Sequence, residues 1–276
     1  MTDTHKMPDP DPRVMDFDTD YELGQDNIRP LGLDIHNPVF VISAGVIVLF
    51  VVIALLNQEA SAAFFGWLRP FLTSTFDWYL MWSVNLLLLF CVFIAVTPLG
   101  KVRIGGRDAR PDYSLPGWIA MLFSAGMGIG LLFFSVLEPM YYTLPELNAW
   151  PLGLDPAVAG NETMGIVGTI FHWGLNAWAV YVVVGLALAI FYFNLGLPMT
   201  LRSAFYPVLG ERVWGWPGHV IDTLAVFATL FGLTTTLGLG AQQVAAGLND
   251  VFGGPVSDTL LSLIHISEPT RPLYIS

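Results

Sequence analysis

VFVISAGVIVLFVVIALL, residues Val39–Leu56, runs for eighteen positions without a charge. A helix needs about 20 largely apolar residues to cross the roughly 30 Å hydrocarbon layer of a bilayer, so this stretch reads as a membrane span. The same search for long segments lacking Asp, Glu, Lys and Arg gives four more: Trp78 to Pro98, Pro116 to Leu137, Thr163 to Met199 with its core near Ile166 to Phe193, and Thr223 to Asn249. Backbone polar groups cannot stay unpaired in lipid, so these segments must be helices, or broken helices shielded by protein. The predicted class is therefore all-α, a polytopic membrane protein with five spans.

Composition agrees. The chain of 276 residues is 54% hydrophobic and 12% charged, where soluble domains carry about 25% charged residues, and its mean hydropathy is +0.62. Nine of the 22 acids lie in the first 36 residues, from Asp3 to Asp34. Residues 1–36 thus read as an acidic, disordered, solvated arm, residues 37–260 as the membrane region, and nucleic acid is not expected as a partner. Cys91 is the one cysteine and sits in an apolar run, which points to packing. The polar N-terminus does not look like a cleavable leader, so the first span is expected to act as its own insertion signal. From residue 261 to 276 the text changes character and resembles a translated sequencing adapter, so it is set aside from fold reasoning; a native short loop is the alternative.

Basic residues orient the spans, because Lys and Arg accumulate in short cytoplasmic loops. Lys6, Arg13 and Arg29 precede the first span, Lys101, Arg103, Arg107 and Arg110 follow the second, and Arg202 and Arg212 follow the fourth. The N-terminus is therefore expected in the cytoplasm and the chain in the plasma (inner) membrane. Trp67, Trp78, Trp118, Trp150, Trp214 and Trp216 fall near span ends, as interfacial aromatics do.

Two segments carry chemistry. Gly126-Met127-Gly128-Ile129-Gly130 places three glycines within five residues of the third span, each costing about 1 kcal/mol of helix propensity. Broken helices of transporters use such segments to expose backbone amides and carbonyls to substrate and ion; Gly126 and Gly130 also suit close helix packing. The fourth span carries Phe171-His172-Trp173-Gly174-Leu175-Asn176-Ala177-Trp178-Ala179-Val180-Tyr181. On a continuous helix Trp178 lies about 140° and Tyr181 about 80° around from Trp173, so the three rings share one half of it. A trimethylammonium group has no N–H to donate and is recognised through charge and apolar contact, which aromatic faces offer. Aromatics at this spacing also serve as packing.

Other polar groups read more blandly. His172 is expected to make a structural hydrogen bond, since no carboxylate or second histidine is near it in sequence, although a proton relay is the other reading of an ionisable group in a span. Glu138 and Asp222 sit at span ends and read as interfacial. Thr229, Thr234, Thr235 and Thr236 on the fifth span can supply oxygen ligands to a hard cation or bond back to the helix carbonyl four residues earlier.

Together these segments resemble the betaine/carnitine/choline transporter family, over about Gly100 to Gly254. The text that carries the resemblance is Gly100-Lys101-Val102-Arg103-Ile104-Gly105-Gly106, then Gly126 to Gly130 leading to Glu138-Pro139, then His172-Trp173-Gly174 with Trp178 to Tyr181. It continues through Gly196-Leu197-Pro198-Met199-Thr200-Leu201-Arg202-Ser203-Ala204-Phe205-Tyr206-Pro207, Phe227 to Gly232 and Leu237 to Gly240. The resemblance implies a twelve-span inverted-repeat transporter, like sodium-coupled amino-acid transporters, of which these five spans are the N-terminal part. It implies secondary active uptake of quaternary-ammonium solutes such as glycine betaine, choline or carnitine, with no enzymatic step. Trp173, Trp178 and Tyr181 match the family's substrate cage, and Gly126, Met127, Gly128 and Gly130 its unwound helix. Ser124, Met127 and Thr229 match positions ascribed to coupling sodium, but Leu233 stands where a further threonine belongs, so sodium or proton coupling stays open, as does association of copies. The rival reading is a sodium-coupled amino-acid symporter of the same architecture.

Overall fold

A computed structural model describes residues 19–22, 24–126, 129–144 and 161–253, with backbone alone at 124–126, 129–133, 161, 162 and 164. Met127, Gly128, the first part of the acidic arm and residues 261–276 lie outside the described residues. The described chain is almost wholly helical: α1 (Val39–Leu56), α2 (Gln58–Val96), α3 (Leu115–Gly126), α4 (Ile129–Thr143), α5 (Asn161–Trp173), α6 (Leu175–Ala189), the short α7 (Tyr206–Leu209) and α8 (Trp216–Phe252).

Helix α1 coincides with the predicted first span. Helix α2 begins at Gln58, well before the expected Trp78, because Glu59, Arg69 and Asp77 interrupt the apolar run without interrupting the helix. Four helical segments are long and apolar enough to cross a bilayer, Val39–Leu56, Gln58–Val96, Gly165–Asn194 and Trp216–Phe252, with mean hydropathies of 3.2, 2.3, 2.0 and 1.7. The predicted third span is described as two shorter helices, α3 of 12 residues and α4 of 15, and at 1.5 Å rise per residue neither crosses about 30 Å alone.

The described residues divide into two compact units. The first draws on Met1–Arg110 and Trp173–Phe227, the second on Pro111–His172 and Ala228–Ser276. In the first, α2 and α6 pack along each other: Asn176 Nδ2 donates to Asn85 Oδ1 at 3.4 Å, and Cys91 Sγ reaches the Ala179 carbonyl at 3.8 Å. Ala179 is buried. Beyond α6, Asn194 clamps the segment after α2, donating to the Arg103 carbonyl at 2.8 Å and accepting from the Gly105 amide at 3.0 Å. Leu197, Tyr206, Val213 and Trp214 form the core beside it. Gly218, at the start of α8, is where a Cβ would run into the Val213 carbonyl, so only glycine permits that approach.

Part of the arm departs from its expected disorder. From Thr19 onward, residue 23 apart, it is built onto this unit, with Asn27–Ile28 pairing antiparallel with Ile35–His36. Composition registered the acids; it did not register Tyr21, whose ring stacks on Trp214 at 4.4 Å and 17°. In the second unit α4 and α5 approach closely at Gly165, where a Cβ would lie 2.5 Å from Thr143 Cγ2 and 2.9 Å from the Pro139 carbonyl.

Candidate substrate site

The fourth span is broken where its aromatics begin. Helix α5 ends at Trp173 and α6 starts at Leu175, with Gly174 between them at φ −88° and ψ −147°, outside helical values. The three rings are therefore not set by one helical wheel, and the expected angular offsets from Trp173 do not hold across the break. What joins them is different. The Trp178 indole Nε1–H donates to the Trp173 carbonyl, at the C-terminal end of α5, at 3.1 Å. The rings of Trp178 and Tyr181, one turn apart on α6, lie 5.6 Å apart at 44°. Trp173 is 42% exposed, Trp178 39% and Tyr181 71%.

Indole has a single donor and no acceptor. With that donor spent on Trp173, Trp178 offers a ligand only its ring. That is the surface a methylated cation needs.

The other predicted residues lie in the second unit. Gly126 is the last residue of α3 and Gly130 the second of α4. Ser124 lies in the last turn of α3 and Thr229 in α8, exposed. The threonines beyond it bond back along the helix: Thr234 to the Leu230 carbonyl at 2.8 Å, Thr235 to Phe231 at 2.8 Å and Thr236 to Gly232 at 3.0 Å. Of the two uses open to those three hydroxyls, the structure shows back-bonding. Open, mostly apolar cavities of about 380 and 240 Å³ border Tyr113 and Trp118 in one case and Ile42 and His219 in the other, and the lining of neither includes a residue of the aromatic trio.

Two charged groups differ from their interfacial reading. Asp222 is buried: its Oδ1 accepts from the Arg202 amide at 3.1 Å and its Oδ2 lies 3.1 Å from Arg202 Nε, on a guanidinium only 2% exposed. Arg202 also donates from Nη2 to the Tyr21 hydroxyl at 2.9 Å and lies 5.2 Å from the ring centres of Tyr21 and Trp214. Burial pushes the Tyr21 phenol above its ordinary range, against the pull of Arg202. Burial likewise pushes the His36 imidazole below its ordinary value; Arg202 adds to this and Asp26 and Asp222 oppose it. Glu138 is within 3.2 Å of His172, so a carboxylate does stand beside that imidazole although the two are 34 positions apart in sequence. An ionisable pair in or beside apolar spans was the one signal in the sequence that could have joined them.

A family model described as BCCT, betaine/carnitine/choline family transporter, matches residues 38–267, past the expected boundary at 260. The chain is 52% identical to a glycine betaine/proline/choline transporter of Vibrio parahaemolyticus over 268 residues, covering 91% of this chain and 48% of that one. It is 51% identical to glycine betaine transporter 1 of the same organism, over 85% of this chain and 45% of that one. It is 39% identical to the high-affinity choline transport protein of Escherichia coli, over 87% of this chain and 34% of that one. The chain spans half or less of the length of these relatives.

Proposed function

The chain belongs to the betaine/carnitine/choline transporter family, and from that premise we propose that it supplies the aromatic side of the substrate site in a secondary active transporter for quaternary-ammonium solutes. Trp173, Trp178 and Tyr181 hold the methylated nitrogen through ring faces. The backbone of Gly126 to Gly130 faces the substrate carboxylate or the coupling ion, and Ser124, Met127 and Thr229 contribute to a sodium site if sodium drives transport. The protein works in the plasma membrane with its N-terminus in the cytoplasm, by alternating access.

The observation that carries this reading is the Trp178–Trp173 bond. It leaves two indoles and a phenol, tied together around Gly174, with aromatic faces to offer. The relatives bear names of glycine betaine and choline transporters, which favours this reading over an amino-acid symporter. Binding measurements on full-length protein test it. Betaine and choline should lose affinity in Trp173→Ala and in Trp178→Ala, and unchanged affinity in both variants would overturn the assignment.

A further inference from the structure

The second unit holds a polar cluster that the aromatic site does not use. Nδ1 of His172, on α5, lies 3.2 Å from Oε2 of Glu138 and 2.9 Å from the hydroxyl of Tyr142, both on α4. The imidazole and phenol rings meet near edge-on, at 5.8 Å and 71°. Glu138 and Tyr142 are four residues apart and share one face of α4. The close approach of the helices at Gly165, two turns before His172, belongs to the same α4–α5 contact.

A nitrogen lone pair and a carboxylate oxygen repel at 3.2 Å unless a hydrogen lies between them. With that hydrogen on Nδ1, the neutral imidazole keeps Nε2 to accept a further proton. The His172 side chain is 40% exposed and that of Glu138 13%, so the carboxylate is the more sheltered of the two groups. Among the described residues, Tyr142 and Tyr141, neighbours on α4, are the other titratable groups at this cluster.

We propose that Glu138, Tyr142 and His172 form a proton-binding site that fastens α4 to α5. The proton passes from water to Nε2, and no other bond is made or broken. The Nδ1–H bond to the Glu138 carboxylate, ionised at first on the acceptor side alone, then carries a charge on both partners and is an ion pair as well as a hydrogen bond. The fastening acts one peptide bond before Trp173. The site goes beyond the transport reading and stands or falls without it.

The test needs no substrate. In full-length protein in detergent, unfolding of wild type, Glu138→Gln, His172→Gln and the double variant forms a cycle, measured at about pH 5.5 and about pH 8.5, either side of the range in which imidazoles change charge. The coupling between the two positions, read as an effect on the unfolding equilibrium, should be about ten-fold larger at the acid pH than at the alkaline one, where the neutral Nδ1–H still donates to Glu138. His172→Lys, carrying a fixed charge, should keep it at both. Coupling that is equal at the two pH values in the wild-type background, or absent at both, overturns the proposal. Should the variants not fold, hydrogen exchange of the wild type over residues 138–144 and 165–173, corrected for intrinsic rates, decides: protection rising several-fold on acidification supports the site, and protection independent of pH refutes it.

Discussion

The indole N–H of Trp178 donates to the carbonyl oxygen of Trp173 at 3.1 Å, so one residue of the proposed cage holds the backbone of the other across the break at Gly174. Substitutions at Trp178 should therefore separate two roles. Trp178→Phe keeps an aromatic face and loses the donor, and with it a hydrogen bond worth about 1 kcal/mol. Trp178→Ala loses both, adding roughly 0.5 to 2 kcal/mol of cation–π contact. Calorimetric titration with betaine should rank wild type, Phe and Ala in that order, with Phe closer to wild type. Equal loss in Phe and Ala would assign Trp178 to the backbone alone.

Arg202 and Asp222 form a buried pair, and its disruption should be asymmetric. Arg202→Ala leaves the Asp222 carboxylate buried without its partner, a change of about 3 to 5 kcal/mol, and thermal unfolding of the detergent-solubilised protein should show it. A double replacement by Met and Leu should lose much less than the sum of the single changes. Arg202→Lys should fall between, since an ammonium cannot reproduce the guanidinium's reach to Asp222, the Tyr21 hydroxyl and two aromatic rings at once.

Acid should loosen the arm. The folded state holds the His36 imidazole below its ordinary value, so the unfolded chain takes up the proton first. The contribution of His36 is present in full above the unfolded value of about 6.5 and is lost as pH falls through that value toward the lower folded one. Limited proteolysis near residues 24–36 should therefore speed up below about pH 6, and His36→Gln should flatten that dependence. A profile unaltered by His36→Gln would place the sensitivity elsewhere.

Gly165→Ala should push α4 and α5 apart. The added methyl would sit 2.5 Å from Thr143 Cγ2 and 2.9 Å from a backbone carbonyl that cannot rotate away. Overpacking of this kind costs about 1 to 3 kcal/mol. A lowered midpoint should appear in thermal unfolding, and Thr143→Ser, which removes the nearer methyl, should recover part of it.

Hydropathy found what an unbroken apolar run can report. Val39–Leu56 matches α1 residue for residue because no charge interrupts it and Asn57 follows at once. The start of α2 escaped because helical hydrogen bonds do not require apolar side chains, and Glu59, Arg69 and Asp77 are accommodated on a helix that continues. The break at Gly174 was invisible for the opposite reason: a glycine among apolar residues leaves hydropathy unchanged while freeing the backbone. The aromatic trio was legible as residue types, and its hydrogen bond through a main-chain oxygen was not. Glu138 with His172, and Tyr21 with Arg202, are 34 and 181 positions apart, and one-dimensional patterning carries no record of such pairings.

The docking of Tyr21 on Arg202 imposes a parity rule on the fold. Groups in contact occupy one face of a bilayer, so the chain between them traverses it an even number of times. Val39–Leu56, Gln58–Val96 and Gly165–Asn194 are each long and apolar enough for one passage, and three such passages alone would make the count odd. The grip of Asn194 on Arg103 and Gly105 sets the same condition on a shorter loop, since Gly165–Asn194 alone would leave its ends on opposite faces. Two contacts that share no residue thus impose the same even count on any threading of these helices through a bilayer.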